Sequence, residues 1–278
     1  MIKKTTKFNK KNISSKERCK IFRKKILDIS QTVEAIHLGG SFSCVEILDF
    51  IYSKFIIPTI NKKNKDTFIL SKGHSGILQY VILNYYKIIN DKQLNLYCKP
   101  HGTLGCHPDY GTPGIEASTG SLGHGMAIAA GIALANKINK TSSKTFIAIS
   151  DGELQEGSTW EAMMMASNLN LKNLICFLDN NGSQSTGHTL DFHKKFYPIK
   201  EKILSFNWNC IETDGHKSVE IDKATKKILK IDNTNPSMII CNTTKGKGLS
   251  FAEGDSNWHY RSPTLQEYII AKQDLNEK

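Results

Sequence analysis

The sequence predicts an α/β protein with a doubly wound, mostly parallel β-sheet and helices on both faces. Two kinds of segment support this fold class. Short runs at 145–149 (TFIAI) and 174–178 (LICFL) are continuously apolar, as strands buried on both faces are. Longer segments with apolar residues at helical spacing alternate with these runs. Such alternation is typical of a parallel sheet.

The predicted elements follow in chain order. Helical spacing predicts helices at 15–36, 45–55, 77–86, 125–137, 159–169 and 222–231. Strands are predicted at 66–70, 145–149, 174–178 and 237–242. Residues 98–124 are rich in glycine and proline and show no periodicity, and a loop of that length usually has a function. Because we find no linker and no repeat, we predict a single domain over 1–278 with a basic N-terminal extension at about 1–14.

Composition argues against several classes of protein. Hydrophobic residues make up 39% of the 278 residues and charged residues 23%, which is ordinary for a soluble domain. No apolar run reaches the roughly 18–20 residues of a membrane span, and no apolar segment follows the basic N-terminus as in a secretory signal. The seven cysteines include no CxxC pair, which disfavours a disulfide framework and a zinc site. We therefore expect unpaired, mostly buried thiols, a cytoplasmic location and no membrane partner.

The net charge of +11 raises the question of nucleic-acid binding. The lysines are spread along the chain, and the lysine runs lack interleaved aromatic residues on which bases could stack. We therefore predict no nucleic-acid partner.

Polar residues follow two of the predicted strands at their carboxyl ends. Asp151 and Gly152 come after the strand at 145–149, and Asn181 comes after the strand at 174–178. Ligands of such sheets bind outside the carboxyl ends of the strands. Glycine lets a phosphate approach the backbone, the next helix offers its N-terminus to an anion, and oxygen ligands suit Mg²⁺ or Ca²⁺. On these residues alone, a strand-end turn followed by a polar loop is the commoner explanation.

The wider segments resemble a known family. ISDGELQEGSTWEA (149–162) and NLNLKNLICFLDNNGSQSTG (168–187) are similar to the thiamine-diphosphate motif of the transketolase family. This resemblance implies that Asp151 and Asn181 are side-chain ligands of the metal and that Ser183 contributes its backbone carbonyl. Gly152 would lie beside the diphosphate. Ser150 stands where the motif usually has glycine.

Four histidine-containing segments resemble the same family in the same order, so that the resemblance covers about residues 15–263. They are AIHLGGS, ILSKGHSG, GCHPDYGTPGIEASTGSLGHG and TTKGKGLSFAEGDSNWH. The resemblance implies that His37, His107 and His259 face the substrate and that His74 lies beside the diphosphate. It also implies that Gly120, Ser121 and Leu122 cup the aminopyrimidine, next to His124 where the family often has glutamine. Imidazoles suit sugar chemistry because they exchange protons with oxygen atoms near pH 7.

Two carboxylates have an open role. Glu156 and Glu161 resemble acids that the family places between its two cofactors. An equally good explanation is that they are exposed acids in the first turns of a helix, where the helix dipole favours them.

The resemblance also implies a partner. In the family, the glutamate that activates the cofactor and the arginines that hold the sugar phosphate come from the following domain, and no such segment occurs here. We therefore expect a split transketolase that transfers a two-carbon ketol unit from a ketose (phosphate) to an aldose (phosphate). It would need thiamine diphosphate, Mg²⁺ (or Ca²⁺) and a separate C-terminal subunit, in a dimer or heterotetramer. Two alternatives stay open: a subunit of a 2-oxo-acid dehydrogenase or 1-deoxyxylulose-5-phosphate synthase type of enzyme, and a non-catalytic homologue.

Overall fold

The computed structural model describes residues 13–277. Most of the basic extension predicted at about 1–14 lies outside the described residues. The prediction of a single domain over 1–278 stays a prediction.

Five parallel strands form a sheet in the order β1-β2-β3-β5-β4. Their bounds are β1 Thr67–Leu70, β2 Thr145–Ser150, β3 Leu174–Asn180, β4 Asn209–Asp214 and β5 Ser237–Asn242. The sequence predicts four of these strands. It misses β4, an edge strand that is half-buried along most of its length and has the largely polar sequence NCIETD. Such a strand leaves no continuous apolar run to detect.

Helices cover both faces of the sheet, because successive side chains of a strand point to opposite faces. Phe146 and Phe177 belong to a core shared with α1 (Ser15–Ser30), α3 (Val45–Ile51), α5 (Gly76–Tyr85) and α11 (Ser218–Ile228). Ile147 and Leu178, one residue further along each strand, belong to a second core with α7 (Gly125–Ile138), α8 (Gly157–Asn168) and α10 (Ile199–Ser205). The predicted doubly wound α/β fold is confirmed.

Several helices differ from their predicted bounds. Helix α1 begins with a capping box between Ser14 and Glu17 but ends at Ser30, because the β-branched Thr32 and Val33 have low helix propensity and the chain turns there. The helix predicted at 45–55 is α3 followed by a π-helical turn, Tyr52–Ile56. The remaining short α-helices were not predicted: α2 Leu38–Ser43, α4 Ile57–Thr59, α6 Asp91–Asn95, α9 Thr189–Phe192 and α10 Ile199–Ser205, together with the longer α12 Leu265–Glu277. Residues 98–124 contain no helix or strand, as expected.

The seven cysteines are unpaired, as predicted. Their predicted burial holds for Cys19, Cys44, Cys176 and Cys241, whereas Cys98 is exposed and Cys106 and Cys210 are half-buried. Within residues 13–277, no helix is both long enough and apolar enough to cross a membrane.

Candidate active site

The loops that follow β1, β2, β3 and β5 meet around a cavity of about 330 Å³ at the carboxyl edge of the sheet. Most of the residues predicted for a functional site line it: His37, His74, His107, His259, Gly120, Leu122, Gly152, Glu156, Asn181 and Ser183. A larger hollow of about 630 Å³ shares Gln155 with this cavity, and its other lining residues include none of those predicted. We therefore take the smaller cavity as the candidate site.

Asp151 lies directly after β2 and is fully buried. Its Oδ2 accepts a hydrogen bond of 3.0 Å from the Tyr197 hydroxyl, whereas its Oδ1 is buried without a hydrogen-bond partner among residues 13–277. Burial, and next the neighbouring Asp179 carboxylate, raise the pKa of Asp151 to about 6, against the effect of the hydrogen bond from Tyr197. The Asp151 N–H donates to the Asp179 carbonyl at 3.2 Å, which places Asp151 beside the end of β3, two residues before Asn181. A cation would satisfy the unpartnered oxygen.

Asn181 presents its amide to the same place. Its Oδ1 accepts the backbone N–H of Ser183 at 3.0 Å and keeps a second lone pair, and its amide nitrogen donates to Asp179 at 3.1 Å. The Ser183 carbonyl oxygen lies 3.7 Å from the point where a Cβ on Gly152 would stand. The three predicted oxygen ligands are therefore neighbours.

The turn after Asp151 contains an element that was not predicted. Residues Gly152–Gln155 form a 3₁₀ turn, and α8 begins at Gly157, two residues before the predicted start of that helix. The 3₁₀ turn separates Asp151 from the N-terminus of α8.

A buried ion pair holds Asn181 in position. Lys72 and Asp179 are both buried and form a salt bridge, and Lys72 also donates to the Gly40 carbonyl at 2.9 Å. Burial by itself would raise the pKa of Asp179, but the adjacent Lys72 ammonium holds it below its usual value. The ionised carboxylate then accepts the Asn181 amide and the Ser43 hydroxyl. Sequence reasoning missed both members of this pair.

Four imidazoles surround the cavity. His37 precedes α2, and its ring centroid lies 5.5 Å from that of His74, 5.8 Å from that of His107 and 5.2 Å from that of His259. Burial, and then the neighbouring histidines and Lys245, lower the pKa of His37 to about 3; burial and Lys245 lower that of His259 to about 4. The pKa of His74 is likewise well below its usual value, first because of burial. These three rings are neutral at pH 7, so each offers one N–H donor and one acceptor.

Gly120 positions His107. Its φ of +135° lies in a region that side chains rarely adopt, and a Cβ there would stand 2.6 Å from Cδ2 of the His107 ring. Leu122 also lines the cavity, whereas Ser121 is exposed and does not line it. The structure therefore brings two of the three predicted loop residues to the site.

The two uncertain carboxylates are both exposed. Glu156 lies at the rim of the cavity, and Glu161 lies on α8 outside the lining. Exposure fits both an acid that meets a partner and an acid that faces solvent, so the role of Glu156 and Glu161 stays a prediction.

Lys245 is the main cavity residue that sequence reasoning missed. It is 2% exposed, and its Nζ donates to the Gln184 carbonyl at 2.9 Å and lies 3.3 Å from Nδ1 of His259. Burial, and then Lys72, lower its pKa to about 8. None of the described carboxylates forms a salt bridge with it. The signal was present in TTKGKG, where a lysine between small residues follows a strand.

Glu153 was also missed. It is fully buried; its Oε1 accepts the Ser71 hydroxyl and, at 3.0 Å, the backbone N–H of Gly123. Its Oε2 has no hydrogen-bond partner in the described part of the chain. Burial raises its pKa to about 7. This side chain ties the glycine-rich loop to the ends of β1 and β2. In DGELQEG, sequence reasoning had selected Glu156 instead.

The fold and the site together define a class of protein. The carboxyl edge of the parallel sheet holds a buried carboxylate without a full set of partners, an amide oxygen, and a buried lysine that has no salt bridge with a described carboxylate. Such a set of groups is suited to binding a phosphorylated ligand together with a divalent cation.

The family follows from similarity to known proteins. The family model described as transketolase, thiamine diphosphate binding domain, matches residues 14–274. The chain is 33% identical over 259 residues to an apulose-4-phosphate transketolase subunit from Phocaeicola vulgatus, with 92% of each chain covered. It is 33% identical over 276 residues to a 6-deoxy-6-sulfo-D-fructose transketolase subunit of a Clostridium species, covering 97% of this chain and 99% of the relative. The transketolase structure from Campylobacter jejuni superimposes with a TM-score of 0.86 at 27% identity, over 96% of this chain but 43% of that one.

The chain therefore belongs to the transketolase family and contains its thiamine-diphosphate-binding domain. The predicted family and enzyme class are confirmed. The chain spans less than half of the solved transketolase to which we compare it, and nearly the whole length of the two subunit relatives.

Proposed function

We propose that this chain is the cofactor-binding subunit of a split transketolase. With a separate C-terminal subunit, it transfers a two-carbon ketol unit from a ketose (phosphate) to an aldose (phosphate). Two of its relatives are named as transketolase subunits and match it nearly end to end, which supports a second chain in the functional enzyme. The observation that carries the proposal is the buried Asp151: none of the described residues partners its Oδ1, and its chain neighbours Ser150 and Gly152 line the cavity together with four histidines.

The residues of the site fit a divalent metal. Asp151, Asn181 and the Ser183 carbonyl would hold Mg²⁺, or Ca²⁺, since all three offer the oxygen atoms that these cations prefer. The unpartnered Asp151 oxygen is the strongest support, because a buried carboxylate oxygen without a partner is costly unless a cation or donor satisfies it.

The residues also fit a diphosphate. Lys245 is a buried cation that forms no salt bridge with any described carboxylate, and it shares the cavity wall with His74 and Gly152. A Cβ on Gly152 would stand at least 3.7 Å from other protein atoms, so packing within the protein does not require glycine there. We infer that glycine leaves room for a ligand in the cavity. We assign these three residues, with Gly120, Ser121 and Leu122, to thiamine diphosphate.

The histidines have the properties that sugar chemistry needs. Thiamine diphosphate, when bound, supplies the carbon nucleophile that takes up the two-carbon unit. His37, His107 and His259 then act on the sugar. His37 and His259 are neutral at pH 7, so each can donate one N–H to a sugar oxygen and accept a hydrogen bond at its other nitrogen.

The partner subunit would complete the cavity. We assign the exposed Glu156 and Glu161 to the surface that it meets, in a dimer or heterotetramer. We place the enzyme in the cytoplasm, because all seven of its cysteines are unpaired, as is usual in a reducing compartment.

Calorimetry tests the site. Thiamine diphosphate should bind in the presence of Mg²⁺, and Asp151→Asn should abolish the Mg²⁺-dependent part of that binding while the chain stays folded. Asp222→Asn is the matched control, since Asp222 lies on α11 and forms an exposed i,i+4 pair with Lys226. Equal binding by Asp151→Asn and the control would overturn the assignment.

An activity assay tests the reaction. The chain mixed with its partner subunit should transfer glycolaldehyde units between sugars. Oxidative decarboxylation of a 2-oxo acid by the same mixture, without ketol transfer, would instead place the chain in another class of thiamine enzyme.

A further inference from the structure

Three potential metal ligands meet at the edge of the cavity, two of which, His37 and His107, line it. One donor atom each of His37, Cys106 and His107 lies within 4.8 Å of the other two, and all three side chains are half-buried. The shortest contact is 3.4 Å, between Cys106 Sγ and His37 Nδ1. We call these residues the thiol–imidazole cluster. The proposed ketol transfer has no use for the Cys106 thiol, so this residue needs a separate explanation.

The spacing of the cluster suits a tetrahedral zinc site. With Zn–S near 2.3 Å and Zn–N near 2.0–2.1 Å, tetrahedral angles separate ligand atoms by roughly 3.3–3.6 Å. The contact between Cys106 and His37 already lies in that range, and the other pairs, all within 4.8 Å, need to close by at most about 1.5 Å.

The surrounding structure holds the cluster in place. The Tyr80 hydroxyl donates to the His107 carbonyl at 2.7 Å, and the His107 ring packs on Gly120. The Tyr260 ring lies over His37, with ring centroids 4.4 Å apart. Ligands held in this way need little reorganisation on binding a metal.

We propose that His37, Cys106 and His107 bind Zn²⁺, with water in the fourth position, and that this binding inhibits the enzyme. The metal site itself stands on geometry alone. The inhibition rests on the proposed function, because Zn²⁺ would engage two of the three imidazoles assigned there to the sugar. Cysteine spacing could not reveal this site, since Cys106 and His37 are 69 positions apart.

The two cation sites differ in chemistry. Asp151 and Asn181 offer hard oxygen atoms, whereas the thiol–imidazole cluster offers sulfur and nitrogen, which favour Zn²⁺ over Mg²⁺. Excess Mg²⁺ therefore occupies one site and leaves the other free.

Cobalt spectroscopy on the full chain tests the metal site. In excess Mg²⁺, one equivalent of Co²⁺ should give a thiolate-to-cobalt charge-transfer band, and Zn²⁺ should remove it. Cys106→Ser should abolish the band and weaken Zn²⁺ binding by about 100-fold or more, since even the loss of an outer-shell contact costs 10–100-fold. The matched control is Cys98→Ser, which removes an exposed thiol and should keep both. Absence of the band from the unmodified chain, or its survival in Cys106→Ser, overturns the proposal.

Two further measurements make the test decisive. Cys106→Ala, with circular dichroism, replaces Cys106→Ser if the serine variant does not fold. In the enzyme assembled with its partner, inhibition by Zn²⁺ at saturating Mg²⁺ should require about 100-fold more metal in the Cys106 variant. Unchanged inhibition overturns the inhibitory role. Failure of thiamine diphosphate to bind the zinc-free chain would instead overturn the proposed function and leave the cobalt result intact.

Discussion

Replacing Lys245 by methionine should stabilise the chain without ligands and weaken its binding of thiamine diphosphate. Lys245 is 2% exposed and has no salt bridge with any described carboxylate. A buried charge without a counter-charge destabilises the fold, and a diphosphate would supply the missing negative charge. Methionine keeps most of the length and the apolar stem of the side chain.

The magnitude follows from the pKa of Lys245. A fall from 10.5 to about 8 corresponds to about 3 kcal/mol of free energy that the folded chain loses when the lysine is charged. The variant also loses the hydrogen bond to the Gln184 carbonyl, which contributes about 1 kcal/mol. We therefore expect Lys245→Met to gain about 2 kcal/mol in free energy of unfolding at pH 7.

The pKa of Lys245 determines how the stability difference between Lys245→Met and the unmodified chain changes with pH. Below pH 8 both the folded and the unfolded lysine are protonated, so the destabilisation of the unmodified chain is complete. As pH rises from about 8 to 10.5, the folded chain loses its proton first and the destabilisation disappears. The advantage of Lys245→Met should therefore be largest at neutral pH and shrink towards pH 10.5.

Urea denaturation at several pH values, and calorimetry with thiamine diphosphate and Mg²⁺, measure both effects. Affinity should fall by roughly 10- to 100-fold, since a hydrogen bond to a charged group contributes about 1.5–3 kcal/mol. Lys247→Met is the control, because the Lys247 side chain is partly exposed and pairs with Glu253. This substitution should change the free energy of unfolding by less than about 0.5 kcal/mol. The reasoning is refuted if Lys245→Met is less stable than the unmodified chain at pH 7, or if it binds thiamine diphosphate with unchanged affinity.

Two other substitutions probe the supports of the site. Lys72→Met should cost about 3–5 kcal/mol in urea denaturation because it leaves the Asp179 carboxylate buried and uncompensated, and adding Asp179→Asn should recover part of that loss; a neutral single variant would contradict this. Gly120→Ala should lower the melting temperature and displace His107, because both its φ and its Cβ are unfavourable. Gly111→Ala is the control, because Gly111 has a φ of +100° but no described atom lies within 4 Å of the position of its Cβ. This variant measures the backbone strain without the clash. An equal fall in melting temperature in both variants would show that the clash is unimportant.

The fold was predictable where burial is continuous. Strands β2, β3 and β5 are apolar runs buried on both faces, so their sequence shows them directly. Strand β4 was not predictable in this way, because an edge strand that is half-buried can be polar. Short helices such as α2 depend on tertiary packing rather than on an amphipathic pattern.

The site was predictable where the strand topology determines it. Asp151 and Asn181 follow neighbouring parallel strands, so their side chains had to end at the same edge of the sheet. Hydrogen-bond partners could not be predicted, because they depend on side-chain orientation. Lys245 was missed because an isolated lysine is normally exposed, and its burial depends on loops far away in sequence.

The carboxylate of Asp179 accepts hydrogen bonds or a salt bridge from four separate segments. Ser43 is the last residue of α2, Lys72 follows β1, Asn181 follows β3 and Thr243 follows β5. If any one of these segments moves away, the Asp179 carboxylate stays buried with fewer partners. Local opening of one segment therefore has a higher free energy. Amide protons in the four segments should therefore exchange with solvent together, as one cooperative unit. A graft that replaces a single loop at this edge would have to preserve its contact with that carboxylate.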